Sequence, residues 1–227
     1  MSDTISFTQT AGIATLTFNN PQRRNALGAA ELDAIEIGLS SLGENARALL
    51  ITSSDDRVFC AGADLTQILD GSLSGDRFQS VTNQIAALPV PSIATLSGNV
   101  FGGGAELALS CDFRLACEDI VLRIPAAAIG LCYPVEGIER MTQRLGSTLV
   151  RKLLLTTESV SFEELAQHSA FDWLISPAEV DAHSEALIAR LSGLAPLSVT
   201  AMLAIIKAVE EGRFDRVAAQ RLADSCS

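Results

Sequence analysis

Apolar and polar residues alternate along two short stretches near the N-terminus, at 5–8 and 13–18. A period of two residues is typical of strands that bury one face, and the Ala11-Gly12 pair between them predicts a turn. Apolar residues then recur at helical spacing over 29–42, and an unbroken apolar run follows at 48–52. Such a short run is typical of a strand that is buried on both faces. The pattern therefore predicts two paired strands, a helix and a buried strand.

The alternation of strands and helices continues to about residue 125. A helix is predicted over 78–88, where two prolines close it, and a buried strand over 92–96. Glycines 102–104 open a further helix through Ser110, and a strand follows at 113–116. Strands that alternate with helices favour an α/β fold with crossover connections.

Helical spacing dominates the chain beyond Glu136. The helical stretches are 147–156, 162–167, 180–191, 196–211 and 214–223, with one apolar break at 171–175. We therefore predict an α/β core over residues 1–178 and a helical region over residues 179–227.

Composition narrows the possible functions. Apolar residues make up 48% of the 227-residue chain and charged residues 19%, which is enough apolar material for a core and argues against disorder. The formal net charge of -11 argues against a nucleic-acid partner, because phosphate neutralisation needs a basic face. The first seven residues lack the pattern of a secretory signal, and no apolar stretch approaches the ~20 residues of a membrane span. We expect a cytoplasmic protein with no membrane partner.

The five cysteines are odd in number and form no CxxC pair, so we interpret them as reduced thiols and predict no metal site. The two histidines, His168 and His183, lie in polar segments far from any glycine-rich motif, and we expect both at the surface.

Two segments carry small residues at the end of a predicted strand: Phe59 to Leu65 and Gly98 to Leu109. Glycines at the start of a helix leave backbone N–H donors uncovered. If the two segments faced one another, their donors could hold a carbonyl oxygen and stabilise it as an oxyanion. Each segment alone could also be a tight turn, and Glu106 in the first helical turn could serve only the helix dipole.

Five motifs in register resemble the crotonase (enoyl-CoA hydratase/isomerase) superfamily across nearly the whole chain. They are Asn20-Pro21 with Arg24-Asn25-Ala26-Leu27, then Phe59 to Leu65, Gly102 to Ala108, Cys111 to Ala116, and Pro125 to Gly130. The resemblance implies a crotonase-like spiral of ββα units, followed by a helical region that forms a homotrimer or a dimer of trimers. It also implies an acyl-CoA or acyl-phosphopantetheine substrate, with no cofactor apart from the coenzyme A that the substrate carries.

The same resemblance implies roles for individual residues. The backbone amides of Ala63 and Gly103 correspond to the oxyanion hole, and Glu106 corresponds to the first catalytic glutamate of the hydratases. The segments expected to embrace coenzyme A contain Arg24, Ala26, Ala61, Asp64 and Leu65. Arg23 and Arg24 are the local cations for its phosphates.

The sequence departs from the family where a second catalytic glutamate would follow Pro125, because that position is Ala126. Hydration needs both a base and an acid, and alanine can be neither. Glu136 is a possible substitute, or a solvated loop carboxylate. Tyr133 is either a packing residue or, as the stretch from Ile129 suggests, similar to a tyrosine of the methylmalonyl-CoA decarboxylase branch.

Three functions therefore remain open. We place first a lyase or isomerase, which would transfer protons as the enoyl-CoA hydratases and isomerases do. A decarboxylase of a malonyl- or methylmalonyl-type thioester is the alternative. A catalytically inactive crotonase-fold binding protein is a further possibility, which Ala126 and a C-terminus shorter than that of typical relatives favour.

Overall fold

The computed structural model describes residues 3–226, which form a mixed α/β fold around two sheets. The strands are β1 Ile5–Thr10, β2 Ile13–Phe18, β3 Ala48–Ser53, β4 Val58–Cys60, β5 Ser92–Leu96, β6 Asn99–Phe101, β7 Phe113–Cys117, β8 Val121–Arg123, β9 Val160–Ser161 and β10 Trp173–Ile175. The larger sheet has the order β1-β2-β3-β5-β7-β10, and the smaller sheet has the order β4-β6-β8-β9.

The helices follow the strands as crossover connections and then dominate the C-terminal part. They are α1 Ala29–Ser40, α2 Leu65–Leu69, α3 Gly75–Ala86, α4 Gly103–Ser110, α5 Val135–Arg151, α6 Phe162–Gln167, α7 Val180–Ser192, α8 Pro196–Glu210 and α9 Arg216–Asp224. A short 3-10 helix, Ala126–Ile129, lies between β8 and α5.

The larger sheet confirms the strands predicted from alternation and from apolar runs. β1 and β2 pair antiparallel, whereas the remaining pairs of this sheet are parallel. Phe18 and Phe59 connect the two sheets in the core, with their ring centroids 5.3 Å apart in an edge-on contact. Both rings are fully buried, so the interior forms one continuous apolar layer between the sheets and the helices.

The sequence pattern missed the smaller sheet, because its strands have only two or three residues each. A period of two cannot be recognised in so few residues. The pattern also missed the first part of α5, which begins at Val135. Gly146 interrupts this helix with φ of 76°, one residue before the predicted helical stretch that starts at 147.

The C-terminal helices rest on the core through named contacts. α7 packs against β3 and β7, and the hydroxyls of Thr95 and Ser184 lie 3.5 Å apart at this boundary. Lys207 of α8 donates to the carbonyl oxygen of Leu88 at 2.9 Å and lies 3.1 Å from the Asp112 carboxylate. The helical region therefore packs directly on the sheet.

Within residues 3–226, no single helix is long and apolar enough to cross a membrane. The segments Pro177–Ser192 and Pro196–Glu210 meet that test of length and composition only as a pair, and they are bent by 105°.

Candidate active site

The two glycine-rich turns meet at one end of the smaller sheet. β4 and β6 are parallel neighbours, so the segments that follow them emerge at the same edge. Gly62 has φ of +84°, and a Cβ added there would lie 2.4 Å from the backbone nitrogen of Gly103. Glycine at position 62 therefore lets the two turns approach.

Ala63 and Gly103 present open backbone donors. Ala63 forms an isolated parallel bridge with Leu27, whose N–H donates to the Gly62 carbonyl oxygen at 2.8 Å and whose carbonyl oxygen accepts from Asp64 N–H at 2.9 Å. That pattern leaves the Ala63 N–H outside the bridge. Gly103 is the first residue of α4, and no hydrogen bond within residues 3–226 uses the N–H of either residue. Two such donors are what an oxyanion hole requires.

An apolar pocket of about 210 Å³ opens beside these donors. Its lining includes Ala61, Ala63, Leu65, Gly103, Glu106, Ala126 and Tyr133. Glu106 is the one carboxylate among the described residues that line this pocket. A larger polar cavity of about 480 Å³ lies on the other side of Arg140, but neither Ala63 nor Gly103 lines it. The smaller pocket is therefore the candidate site.

Glu106 is buried at the wall of this pocket, with 1% of its surface exposed. Its Oε1 atom accepts a hydrogen bond from the Thr82 hydroxyl at 2.9 Å and lies 3.6 Å from Nη1 of Arg140. Burial raises the pKa of Glu106 above its ordinary value, although the Thr82 hydrogen bond and the Arg140 charge lower the pKa in part. A raised pKa makes a carboxyl group a better proton acceptor, as a general acid/base requires.

The structure brings Tyr133 into the pocket beside Glu106. Its hydroxyl donates to the Gly102 carbonyl oxygen at 3.2 Å. Burial, together with the charge of Glu106, raises the pKa of Tyr133 well above its ordinary value. The phenol is therefore a neutral hydrogen-bond donor at this site. Cys132 also lines the pocket, with an exposed thiol that the sequence pattern did not single out.

Glu136 does not line the pocket with Glu106. It is exposed at the start of α5, it accepts a hydrogen bond from the Asn83 side-chain amide, and it lines the larger polar cavity. Ala126, where the resemblance implies a second glutamate, lies in the pocket wall. Within residues 3–226, no second carboxylate lines this pocket.

The segments expected to embrace coenzyme A are joined by backbone hydrogen bonds, but their residues have different surroundings. Ala61 and Leu65 line the pocket, whereas Arg24 and Ala26 lie in the preceding loop, where the Arg24 carbonyl oxygen accepts Ala61 N–H at 3.0 Å. Asp64 is buried and lies 2.6 Å from Nη2 of Arg23. Its side chain also caps α2. Asp64 therefore already has polar partners within the protein.

Asn25 fixes this loop, a role that the sequence pattern did not reveal. Its buried amide donates to Ser53 Oγ at 2.8 Å and to the Val58 and Phe59 carbonyl oxygens, both at 3.1 Å. The Cys60 thiol joins the same network through the Asn25 carbonyl oxygen, and burial raises the pKa of this thiol to about 12. These contacts hold the end of β4, from which the turn that contains Gly62 and Ala63 begins.

Within residues 3–226, no group of three or more His, Cys, Asp or Glu side chains is placed to hold a metal ion. The five cysteines are free thiols. Both histidines are half-buried outside the pocket, and the His183 ring lies 6.2 Å from that of Trp173.

The model of the enoyl-CoA hydratase/isomerase family matches residues 8–224. The chain belongs to the enoyl-CoA hydratase/isomerase family. This result confirms both the resemblance carried by the five motifs and the crotonase-like α/β fold.

Several individual proteins are similar to this chain over most of its length. YngF of Bacillus subtilis (strain 168), which is named for the enoyl-CoA hydratase/isomerase family, is 31% identical over 222 residues, 92% of this chain and 84% of that protein. The structure of Pseudomonas aeruginosa PA4980 is similar with a TM-score of 0.84 and 25% identity, and 99% of each chain is covered. A Thermobifida fusca YX protein that was crystallised with CoA has a TM-score of 0.86 at 24% identity, covering 98% of this chain and 91% of that one, which supports the fold.

Proposed function

We propose that this enoyl-CoA hydratase/isomerase family member stabilises a thioester enolate between the N–H groups of Ala63 and Gly103, with Glu106 as the acid/base. The observation that carries the proposal is the position of one buried carboxylate in a pocket that also presents two open backbone donors. Donors at this place would stabilise the charge that develops on the thioester oxygen when a proton leaves the α-carbon.

The two oxygens of Glu106 have different surroundings, which supports a defined direction of proton transfer. The Thr82 hydroxyl and the Arg140 guanidinium both lie nearest to Oε1. The Tyr133 hydroxyl also faces this carboxylate, and we assign Oε2, which has neither of the first two partners, to the substrate carbon. We propose that Oε2 takes a proton from the acyl chain while the thioester oxygen becomes the enolate, and that it returns a proton in the second step.

A single carboxylate fits a proton shift along the acyl chain better than it fits hydration. One base can remove and return a proton, whereas water addition also needs a second group to activate the water. Ala126 cannot supply that group, so isomerisation is favoured within the hydratase/isomerase type. The apolar walls suit a hydrocarbon acyl group, and the CoA complex of the Thermobifida fusca protein supports CoA as the carrier.

Deuterium exchange at the α-carbon tests the enolate step whatever the final product is. The protein is incubated in D₂O with butyryl-CoA, and deuterium uptake is measured by mass spectrometry. We expect exchange by the native protein and a ~10²–10⁴-fold slower exchange by Glu106→Gln, which keeps the size but not the titratable group. Equal exchange rates for both proteins would reject Glu106 as the base. Parallel assays with crotonyl-CoA and a 3-enoyl-CoA identify the reaction.

Decarboxylation of a malonyl- or methylmalonyl-type thioester is the second candidate, and the neutral surroundings of Ala126 and Tyr133 favour it. Loss of CO₂ generates the enolate directly, so it needs the amide pair but no base. Methylmalonyl-CoA turnover that survives Glu106→Gln would support this candidate.

A binding protein without catalytic activity is the remaining alternative. Absence of turnover and of exchange with every thioester would favour it.

We also propose that the chain forms a homotrimer or a dimer of trimers through its C-terminal helices. Their exposed apolar side chains support a covered face; they include Leu197, Met202, Ile206, Val209, Phe214 and Val217. Light scattering should give a trimer or hexamer, and the double change Met202→Asp with Ile206→Asp should reduce its mass. A native monomer at micromolar concentration would contradict this proposal.

A further inference from the structure

Thr82 is a fully buried polar residue at the back of the active-site pocket. Its hydroxyl lies 2.9 Å from Oε1 of Glu106 and 3.0 Å from the carbonyl oxygen of Gln79 in the preceding turn of α3. Both distances are those of good O–H···O hydrogen bonds. The residue therefore links the candidate acid/base to the helix that packs on α4.

A threonine hydroxyl carries one hydrogen, so it can form a full hydrogen bond to only one of two acceptors at a time. An ionised carboxylate is the stronger acceptor, because hydrogen bonds that involve a charge are roughly twice as strong as neutral ones. A protonated Glu106 is a weaker acceptor, and the Gln79 carbonyl oxygen can then compete for the same hydrogen. The hydroxyl has an acceptor in either state, so neither state leaves it unsatisfied in the core.

We propose that Thr82 is a positioning residue: it holds Oε1 of the Glu106 carboxylate so that protons are exchanged at Oε2, and its hydroxyl turns to the Gln79 carbonyl when Glu106 is protonated. This inference rests on the proposed acid/base role of Glu106. The Thr82 hydroxyl would therefore change its hydrogen-bond acceptor with the protonation state of Glu106, which a permanently charged side chain cannot do.

The charged groups around Glu106 cannot supply this response. Arg140 of α5 keeps its charge, and its Nη1 atom is 3.6 Å from Oε1, too far for a hydrogen bond. Glu136, also on α5, is exposed and contacts the Asn83 amide. Tyr133 is the other neutral donor that faces Glu106, from the loop before α5, and its hydroxyl also lies 3.2 Å from the Gly102 carbonyl oxygen. Burial raises the pKa of Tyr133 and of the Cys60 thiol.

Two substitutions separate the hydroxyl from the shape of the side chain. Thr82→Val keeps the shape and removes the hydrogen, whereas Thr82→Ser keeps the hydroxyl. Infrared spectroscopy follows the titration of Glu106 through the carbonyl stretch of its protonated side chain. This band is assigned to Glu106 because Glu106→Gln abolishes it. We expect the Val variant to titrate about one pH unit higher than the native protein, because the ionised form loses its donor, and the Ser variant to titrate like the native protein.

Activity provides an independent reading. The acidic limb of the pH profile of α-proton exchange should move upward in Thr82→Val together with the infrared midpoint, and kcat should fall more than KM changes. If Thr82→Val does not fold, Thr82→Ala provides a second variant without the hydroxyl. An unchanged infrared midpoint in a folded variant without the hydroxyl would overturn the proposal. If the infrared midpoint shifts in Thr82→Val but Glu106→Gln keeps full exchange activity, the Thr82 pairing is supported and the proposed function is rejected.

Discussion

A Cβ atom added to Gly137 would lie 2.9 Å from the carboxyl carbon of Glu106 and 3.0 Å from each of its carboxylate oxygens. Gly137 is buried in the first turns of α5, so this helix packs its backbone directly against the candidate acid/base. The glycine leaves room for the carboxylate and closes the pocket behind it. A larger residue must displace either the helix or the carboxylate.

We therefore expect Gly137→Ala to reduce turnover strongly. A displacement of about 1 Å at a reacting group can cost ~100-fold in rate, because the productive geometry is lost. Gly193→Ala is the control, since a Cβ there meets its neighbours at an ordinary 3.5 Å. Steady-state kinetics with the best thioester and thermal unfolding of both variants measure the effect. Full activity in Gly137→Ala would mean that the position of Glu106 is not critical.

A second prediction concerns the approach of the two glycine-rich turns. Gly62→Ala should reduce turnover by ~100-fold, the usual loss for one oxyanion donor, because its methyl group would lie 2.4 Å from the Gly103 nitrogen. Position 62 is a better test than Gly103 itself, where a Cβ would lie 2.5 Å from the Phe78 ring and disturb the core.

Gly71→Ala is the matched control for this prediction. Gly71 has φ of +78°, close to the +84° of Gly62, but no atom lies within 4 Å of its added Cβ. Both variants should therefore lose a similar ~1–2 kcal/mol from backbone strain. Only Gly62→Ala should also lose turnover and deuterium exchange. An equal loss of activity in the two variants would show that the strain, and not the contact with Gly103, determines the result.

The sequence alone predicted strands of the larger sheet, and the family resemblance implied roles for candidate-site residues that lie on contiguous motifs. Ala63, Gly103 and Glu106 each belong to a glycine-rich segment whose pattern is local. Thr82 lies 24 residues from Glu106 along the chain, on a helix that meets α4 only in the folded protein. No local period or spacing indicates such a contact, and the same is true of Arg140.

Glu136 illustrates a different limit of sequence analysis. It is only three residues from Tyr133, yet the tyrosine lines the apolar pocket and the glutamate lines the polar cavity. The chain enters α5 between them, so the direction of each side chain depends on where that helix begins. The sequence pattern did not recognise this helix start, and it could not separate the two residues.

A third prediction addresses the missing second carboxylate. Ala126→Glu should raise crotonyl-CoA hydration by about 10-fold or more, because a carboxylate in this pocket wall could activate water opposite Glu106. Ala126→Gln is the control, since it has the same size but cannot take a proton. Hydration is followed by the loss of the enoyl thioester absorbance. Equal rates for the Glu and Gln variants would contradict a role for this position in water activation.

The last prediction concerns stability. Burial raises the pKa of Glu106 above its ordinary value of 4.5, so folding favours the protonated acid. Its contribution to stability is therefore fully present below pH 4.5 and is lost as the pH rises through the raised value. Glutamine resembles the protonated acid and does not ionise. Glu106→Gln should consequently be more stable than the native protein at pH 7, and this advantage should shrink as the pH falls towards 4.5.

Urea unfolding of both proteins at several pH values measures this difference, and contributions from the other titrating groups cancel between them. Glu118→Gln, at an exposed carboxylate, is the control for the substitution itself. A Glu106→Gln variant that is less stable than the native protein at pH 7 would mean that Arg140 and Thr82 more than offset the cost of burying the charge. A gain in stability together with lost exchange would instead indicate that the protein keeps a destabilising buried carboxylate because the proton transfer requires it.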